Sequence, residues 1–337
     1  MTDAVHIIAE AGTNHGGDPA VGRQLIDIAA DGGADSVKFQ VIYPEGLYLP
    51  ATWQDGELVD NEVFAIRRAA MLDDAEWPGL AAHARQRGLG FSASVFDDRG
   101  LDLLDELDAD YVKLASTDLN NHGLLRAAAA RGRRVVLSTG LSSLAEVHDA
   151  VEVFTAAGGD DLVLLHCVSI YPAPVERANV GFVEVLRREF GLPVGFSDHT
   201  ESSVAAVAAV ALGATWLEKH ITFDRGAEGF DHVYAAEPDT FAAYVADVRA
   251  ASAALAGTDG KVSDDEASVR DRARRSVYAA TDLDAGHVLG AEDLLVVRPP
   301  GPLDPGDVDG LLGRPLERPL RRYEALDWQA VGGEPTG

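Results

Sequence analysis

The sequence predicts a (β/α)8 TIM barrel followed by a small β-rich C-terminal domain, and three observations carry that expectation. Short β-rich runs alternate with amphipathic helical patterns from residue 6 to about 256. Eight such units in about 250 residues match the length of a closed parallel barrel. After residue 275 the chain changes character, into short apolar pieces punctuated by Gly and Pro.

The first strand is expected at 6–12 (HIIAEAG), ahead of a helix at 19–31. Strands follow at 36–41, 89–95, 111–116, 134–140, 162–169, 193–199 and 215–222, each a β-branched or apolar run that turns polar at its end. Between them helical patterns occupy 74–87, 99–107, 143–157 and 203–212, most opening on Asp, Ser or Pro and closing near Gly. A doubly wound open sheet is the structural alternative. The barrel domain is read as 1–256 and a polar linker as 257–275 (GTDGKVSDDEASVRDRARR), which can be helical in part. The small domain is read as 276–337, marked by DAG, RPPGPLDPG and LLGRPLERP. A unit of about 60 residues has a marginal core and is expected to dock on something.

Composition narrows the function classes. The chain has 337 residues, 47% of them hydrophobic, and a formal net charge of −27. That acidity argues against nucleic acid or an anionic membrane as partner, since both need a basic patch; solubility, composition bias or a salt-adapted host account for it without assigning a function. No stretch approaches the roughly 18 apolar residues of a membrane span, and the chain opens on a strand-like run without a basic region or cleavage site, so a cytoplasmic protein is expected. One cysteine, Cys167, supplies no thiolate cluster, which leaves His and carboxylates to hold any metal. Of 28 basic residues only four are lysines, and Lys38, Lys113 and Lys219 lie inside apolar strand-like runs.

In a parallel barrel the working face is the carboxyl end of the strands. Here those ends read Glu10; Lys38 and Gln40; Ser92 and Ser94; Lys113 and Ser116; Ser138 and Thr139; His166 and Ser169; Ser197, Asp198 and His199; Glu218, Lys219 and His220. Such a set around one cavity is unfavourable unless a charged ligand or metal satisfies it. His199 and His220, on neighbouring strands, suit a divalent ion with added oxygen ligands, or are a pair of structural histidines. Lys38 and Lys113 suit an anionic, phosphate-bearing substrate, with Ser116, Ser138 and Ser197 sharing its oxygens; a Schiff-base lysine is the alternative. Glu10 is a candidate general base, or the partner of a barrel lysine. Strand alternation points Lys219 away from the cavity, into a structural ion pair. His15, in TNHGGD, belongs either to an active-site loop or to a turn.

In order and spacing, IIAEAGTNHGGD, GADSVKFQ, YVKLASTDLNN, VVLSTGLSSLAEV, LLHCVSIYPAP, VGFSDHT, AVALGATWLEKHIT and LLGRPL resemble the sialic acid synthase (N-acetylneuraminate synthase) family, including its C-terminal antifreeze-like, or SAF, domain. The resemblance covers roughly residues 5 to 330 and implies an enzyme that condenses phosphoenolpyruvate with N-acetylmannosamine or a related N-acetylated hexosamine. Legionaminate-type and pseudaminate-type precursors remain possible acceptors. The implied metal ligands are His199 and His220, for Mn²⁺ or else Mg²⁺ or Co²⁺. Phosphoenolpyruvate contacts fall on Lys38, Gln40, Lys113, Ser116, Ser138 and Ser197, and the catalytic glutamate on Glu10. The substrate-binding set also takes in Asp118, Ser169, Tyr171 and Asp231, and Arg298 is the arginine that the SAF domain delivers to a partner's barrel in a domain-swapped homodimer.

Departures from the family pattern gather on the acceptor side. Ser169 stands where some members have asparagine, and Asp118 where the longer glutamate is found. SASVF replaces STPF, GFD (ending in Asp231) replaces GPD, and RPPGPLDP replaces RPGTGI. Another phosphoenolpyruvate-condensing enzyme that makes a 3-deoxy sugar acid, and a non-catalytic sugar-binding protein, are the alternative functions.

Overall fold

The computed structural model describes residues 5–257 and 260–334. Eight parallel strands close into a barrel: β1 (His6–Gly12), β2 (Ser36–Gln40), β3 (Gly90–Ser94), β4 (Val112–Leu114), β5 (Val135–Ser138), β6 (Leu162–Cys167), β7 (Val194–Asp198) and β8 (Trp216–His220). Neighbours in sequence are neighbours in the ring, and β8 pairs with β1 to close it, His6 opposite Trp216 and Glu10 opposite His220. Each strand lies within or at the bounds expected from sequence. At β4, three residues shorter than expected, the chain leaves the ladder and Ser116–Asp118 form a single 3-10 turn.

Helices cover the outside for the reasons the pattern gives. In Pro19–Asp31 the Asp18 side chain accepts from the Ala20 amide, Pro19 sits where no amide proton is needed, and Leu25, Ile26 and Ala29 face the sheet. Leu144–Ala156 opens with a reciprocal capping box between Ser143 and Glu146.

Inside the ring the period-2 alternation of each strand puts apolar residues low and polar residues high. Ile8, Tyr111, Val136, Val163, Leu165 and Trp216 form a plug. Two residues further along the same strands come Glu10, Lys113, Ser138, Cys167 and Glu218. Gly195 lets the plug close, because a Cβ there would lie 2.2 Å from the Trp216 carbonyl oxygen and 2.5 Å from Leu165.

One insertion was not legible in the sequence. Between β2 and the helix Trp77–Gln86, a hairpin (Ala51–Gln54 with Glu57–Asp60) is followed by the helix Glu62–Ala69, none of whose residues is buried.

The chain divides into two compact units, Met1–Gly257 and Thr258–Gly337. The second has its own core around Val277, Leu289, Leu303, Leu311 and Leu326, beneath an antiparallel pair of β9 (Ser276–Ala279) and β10 (Leu294–Val297). Its first element is the helix Asp264–Ala273, in the stretch read as a linker. This helix buries nothing and is held by the Ser263 cap, acidic residues in its first turn and Arg270 and Arg272 in its last. Among the described residues no helix is long and apolar enough to cross a membrane.

Candidate active site

The carboxyl ends of the barrel strands surround a cavity of about 630 Å³. Of the residues singled out from sequence, Glu10, Lys38, Gln40, Lys113, Ser116, Ser138, Ser169, Tyr171, Ser197, His199, His220 and Asp231 line it. Convergence follows from register. Parallel pairing sets Glu10 beside Lys38 on β2 and beside His220 on β8, and alternation turns all three inward.

The lysines differ in their partners. Lys38, 2% exposed, lies 2.6 Å from Glu10 Oε2 and 3.6 Å from Glu218 Oε2, and donates to Ser94 Oγ at 2.9 Å. Burial works against its charge, but the two carboxylates outweigh it and hold its pKa above the ordinary lysine value. Lys113, equally buried, has no carboxylate within ion-pair distance among the described residues and donates to the Leu114 carbonyl (2.8 Å) and Ser138 Oγ (2.7 Å). Burial drives its pKa down; Glu218 opposes the shift and Lys38 adds to it. A buried ammonium without a counter-ion is an anion site in waiting, and Ser138, Ser116 and Ser169 sit beside it on β5 and the loops after β4 and β6. Glu10 shares its second oxygen, Oε1, with Gln40 Nε2 at 2.9 Å. In the free protein it is thus the partner of a barrel lysine, one of the two roles the sequence left open.

Gly140 keeps this side of the cavity tight. Its amide donates to Ser116 Oγ (3.1 Å), and a Cβ would lie 2.6 Å from Cys167 Sγ and 2.8 Å from the hydroxyls of Ser116 and Ser169. Gly140→Ala is therefore expected to displace both serines and lower kcat/KM for the anionic substrate by roughly 10²-fold. Steady-state kinetics with each substrate varied in turn checks this, the acceptor's KM changing less.

His199 and His220 face each other with ring centroids 5.5 Å apart. His199 Nδ1 is 2.8 Å from the Val168 carbonyl, which can only accept, so its proton is on Nδ1; Nε2 keeps its lone pair, 3.4 Å from Ser197 Oγ, whose own proton goes to Glu218. Burial, with His220 beside it, lowers its pKa to about 3, so the ring is neutral as a metal ligand must be. His220 Nδ1 is buried without a hydrogen-bond partner, 3.8 Å from Asp231 Oδ2. Among the described residues no three His, Cys, Asp or Glu side chains gather into a metal cage. The donor set therefore fits a divalent ion held by two imidazoles, with water or substrate oxygens completing the shell.

Two predicted residues do not line the cavity. Asp118 is buried in the turn after β4 and accepts from Thr117 Oγ1 (2.9 Å) and Asn121 Nδ2 (3.4 Å); the neighbour that reaches the cavity is Thr117. Arg298 is exposed just after β10 in the second unit, without a hydrogen bond or ion pair among the described residues. Lys219 points outward as alternation requires, donating to the Thr200 carbonyl and lying 3.6 Å from Asp198. His15 is buried outside the main cavity; its Nδ1 accepts from the Gly17 amide at 3.0 Å, which makes it a turn residue.

Residues given no role from sequence also line the cavity: Glu218, named there only among the polar strand ends, with Arg67, Phe230 and Tyr234. Glu218 was recoverable, since it shares the inward face of β8 with His220. It accepts from Ser197 Oγ at 2.8 Å, and although burial opposes its charge, Lys38, Lys113 and His220 together pull its pKa below the usual carboxylate range. Arg67 comes from the inserted helix and Phe230 and Tyr234 from the loop after β8, where the sequence has no periodicity to read.

Comparison with known proteins gives a consistent picture. The NeuB family matches residues 25–260 and the SAF domain residues 274–331. An N,N'-diacetyllegionaminic acid synthase of Legionella pneumophila is 32% identical, over 96% of this chain and 94% of that protein. A pseudaminic acid synthase of Campylobacter jejuni is 32% identical, over 96% of this chain and 95% of its own. The crystal structure of an N-acetylneuraminic acid synthetase from Leptospira borgpetersenii superposes with a TM-score of 0.71 at 34% identity, over 80% of this chain and 90% of that one.

Proposed function

The chain belongs to the NeuB family and carries a SAF domain, and from that premise we propose that it condenses phosphoenolpyruvate with N-acetylmannosamine or a related acetamido hexose, including precursors of the legionaminate or pseudaminate type. The product is a nine-carbon 2-keto-3-deoxy sugar acid, released with phosphate. The observation that carries this reading is the pairing, in one cavity, of a buried lysine and serine cluster, with no carboxylate at ion-pair distance from Lys113 among the described residues, and two facing imidazoles.

The residues divide the work. Lys113, Ser116 and Ser138 hold the phosphate, while Lys38, Gln40 and Ser197 hold the carboxylate. Because Lys38 is shared with Glu10, an arriving carboxylate competes for the ammonium and loosens the ion pair. Glu10 is then free to take a proton from water. C3 of phosphoenolpyruvate bonds to the acceptor's aldehyde carbon, water adds at C2, and phosphate departs with the electrons of the C2–O bond. His199 and His220 would hold a divalent ion such as Mn²⁺, which when bound supplies Lewis-acid polarisation of the aldehyde. Tyr171, Ser169, Asp231 and Tyr234 shape the acceptor's side. The test is to incubate the protein with phosphoenolpyruvate, Mn²⁺ and a panel of acetamido hexoses while following phosphate release; no release with any of them overturns the reading.

We also propose a homodimer in which each SAF domain brings Arg298 to the partner's barrel. An exposed arginine without an internal partner supports this. Mixing Glu10→Ala chains with Arg298→Ala chains and allowing subunit exchange is expected to restore activity, because in a swapped dimer one site carries both defects and the other neither. A mixture no more active than its components after verified exchange contradicts the swap.

A further inference from the structure

Arg67 has no assigned task, and its surroundings are unusual for this chain. In the barrel unit the other half-buried arginines, Arg131, Arg133 and Arg249, each pair with aspartate. Arg67, equally half-buried, pairs with no carboxylate among the described residues, although the chain carries 55 acidic residues. Its guanidinium lies 3.9 Å from the centroid of the Phe230 ring, and Nη1 donates to Thr13 Oγ1 at 2.9 Å. Among the described residues Nε is enclosed without an acceptor, and the one hydrogen bond of the guanidinium is that of Nη1. Asp231, which lines the same cavity and follows Phe230 in sequence, is engaged instead by the Tyr234 hydroxyl at 2.5 Å and faces His220.

Topology fixes which end of the cavity Arg67 serves. Its anchors are on the loops after β1 and β8, and it comes itself from the loop after β2, three neighbours in the ring. Lys113, Ser116 and Ser138 are on β4 and β5 or the loop between them, across the ring. Arg67 is thus remote from the proposed phosphate site of phosphoenolpyruvate and lines the half left to the acceptor. A half-buried guanidinium held by a hydroxyl and an aromatic face, with an enclosed Nε left unpaired, is stabilised by an anionic ligand and is less favourable without one.

Resting on the proposed reaction and narrowing its acceptor from neutral N-acetylmannosamine to a charged relative, we infer that the acetamido hexose carries a negatively charged group at the end remote from its aldehyde, a phosphate monoester or a carboxylate, and that Arg67 selects for it. The test measures binding without turnover, by calorimetry on the intact protein, with three probes: a 2-acetamido-2-deoxyhexitol, its 6-phosphate and its 6-carboxylate. At least one anionic hexitol is expected to bind about tenfold tighter than the neutral one, and the two charged arms identify which anion is meant. Arg67→Gln should bring the ratio within about twofold while phosphoenolpyruvate binding changes less, and Arg67→Lys should recover part of it. Arg68→Gln, on the same helix but exposed and paired with Glu45, serves as the control and keeps the preference. Equal binding of all three probes by the wild type, a preference that survives Arg67→Gln, or an equal loss of phosphoenolpyruvate affinity overturns the inference. A preserved, Arg67-dependent preference in a protein that turns over no acceptor would instead sustain the inference and sink the condensing reaction.

Discussion

Lys113→Met and Lys38→Met should each lower kcat/KM by roughly 10³-fold, since each removes a buried, charge-assisted contact to an anionic substrate. Their effects on folding should differ. Lys38 neutralises Glu10 and Glu218, so its loss leaves buried carboxylates uncompensated and should destabilise the protein by about 3 kcal/mol or more. Lys113 has no carboxylate partner and gives up only two hydrogen bonds, so Lys113→Met should cost about 1–2 kcal/mol at most. Denaturant unfolding of both variants beside their kinetics checks the split. If the lysines are anchors, borohydride trapping with substrates present leaves both unmodified; a reduced adduct on either would point to a Schiff base.

His199→Ala and His220→Ala are expected to abolish measurable turnover, a loss of roughly 10³-fold or more, without unfolding the barrel. Each imidazole is at the rim of the cavity rather than in the apolar plug, so truncation removes a ligand without opening the core. Manganese binding followed by electron paramagnetic resonance should fall in step with activity. Wild-type turnover in chelator-treated, metal-free protein would contradict the role given to the pair.

The architecture was legible because eight strands repeat one pattern, apolar in the middle and polar at the end, and because helix starts carry their own caps, as at Asp18 and Ser143. The same alternation brings Glu10, Lys38, Lys113 and His220 to one cavity from the sequence pattern alone. It also pointed Glu218 inward, although that residue was not chosen. The insertion after β2 was missed for a physical reason: its strands are four residues each and its helix buries nothing, so no hydrophobic period marks it. Only the Asp55–Gly56 turn, with both φ angles positive, signals the hairpin. Arg67 was invisible with it, because reaching the cavity depends on where Thr13 and Phe230 happen to lie. Asp118 is the converse case. Resemblance placed it at the site, whereas local hydrogen bonds turn it back into its own loop.

The central claim is that one cavity joins phosphoenolpyruvate to an acetamido hexose, and product analysis tests it most directly. Incubated with phosphoenolpyruvate whose bridging C2 oxygen is isotopically labelled, Mn²⁺ and an acceptor that supports phosphate release, the protein should yield a sugar acid with the mass of acceptor plus pyruvic acid. The label should leave entirely with phosphate, one phosphate for each sugar acid. Label retained in the organic product, or phosphate released without a new carbon–carbon bond, would contradict the account.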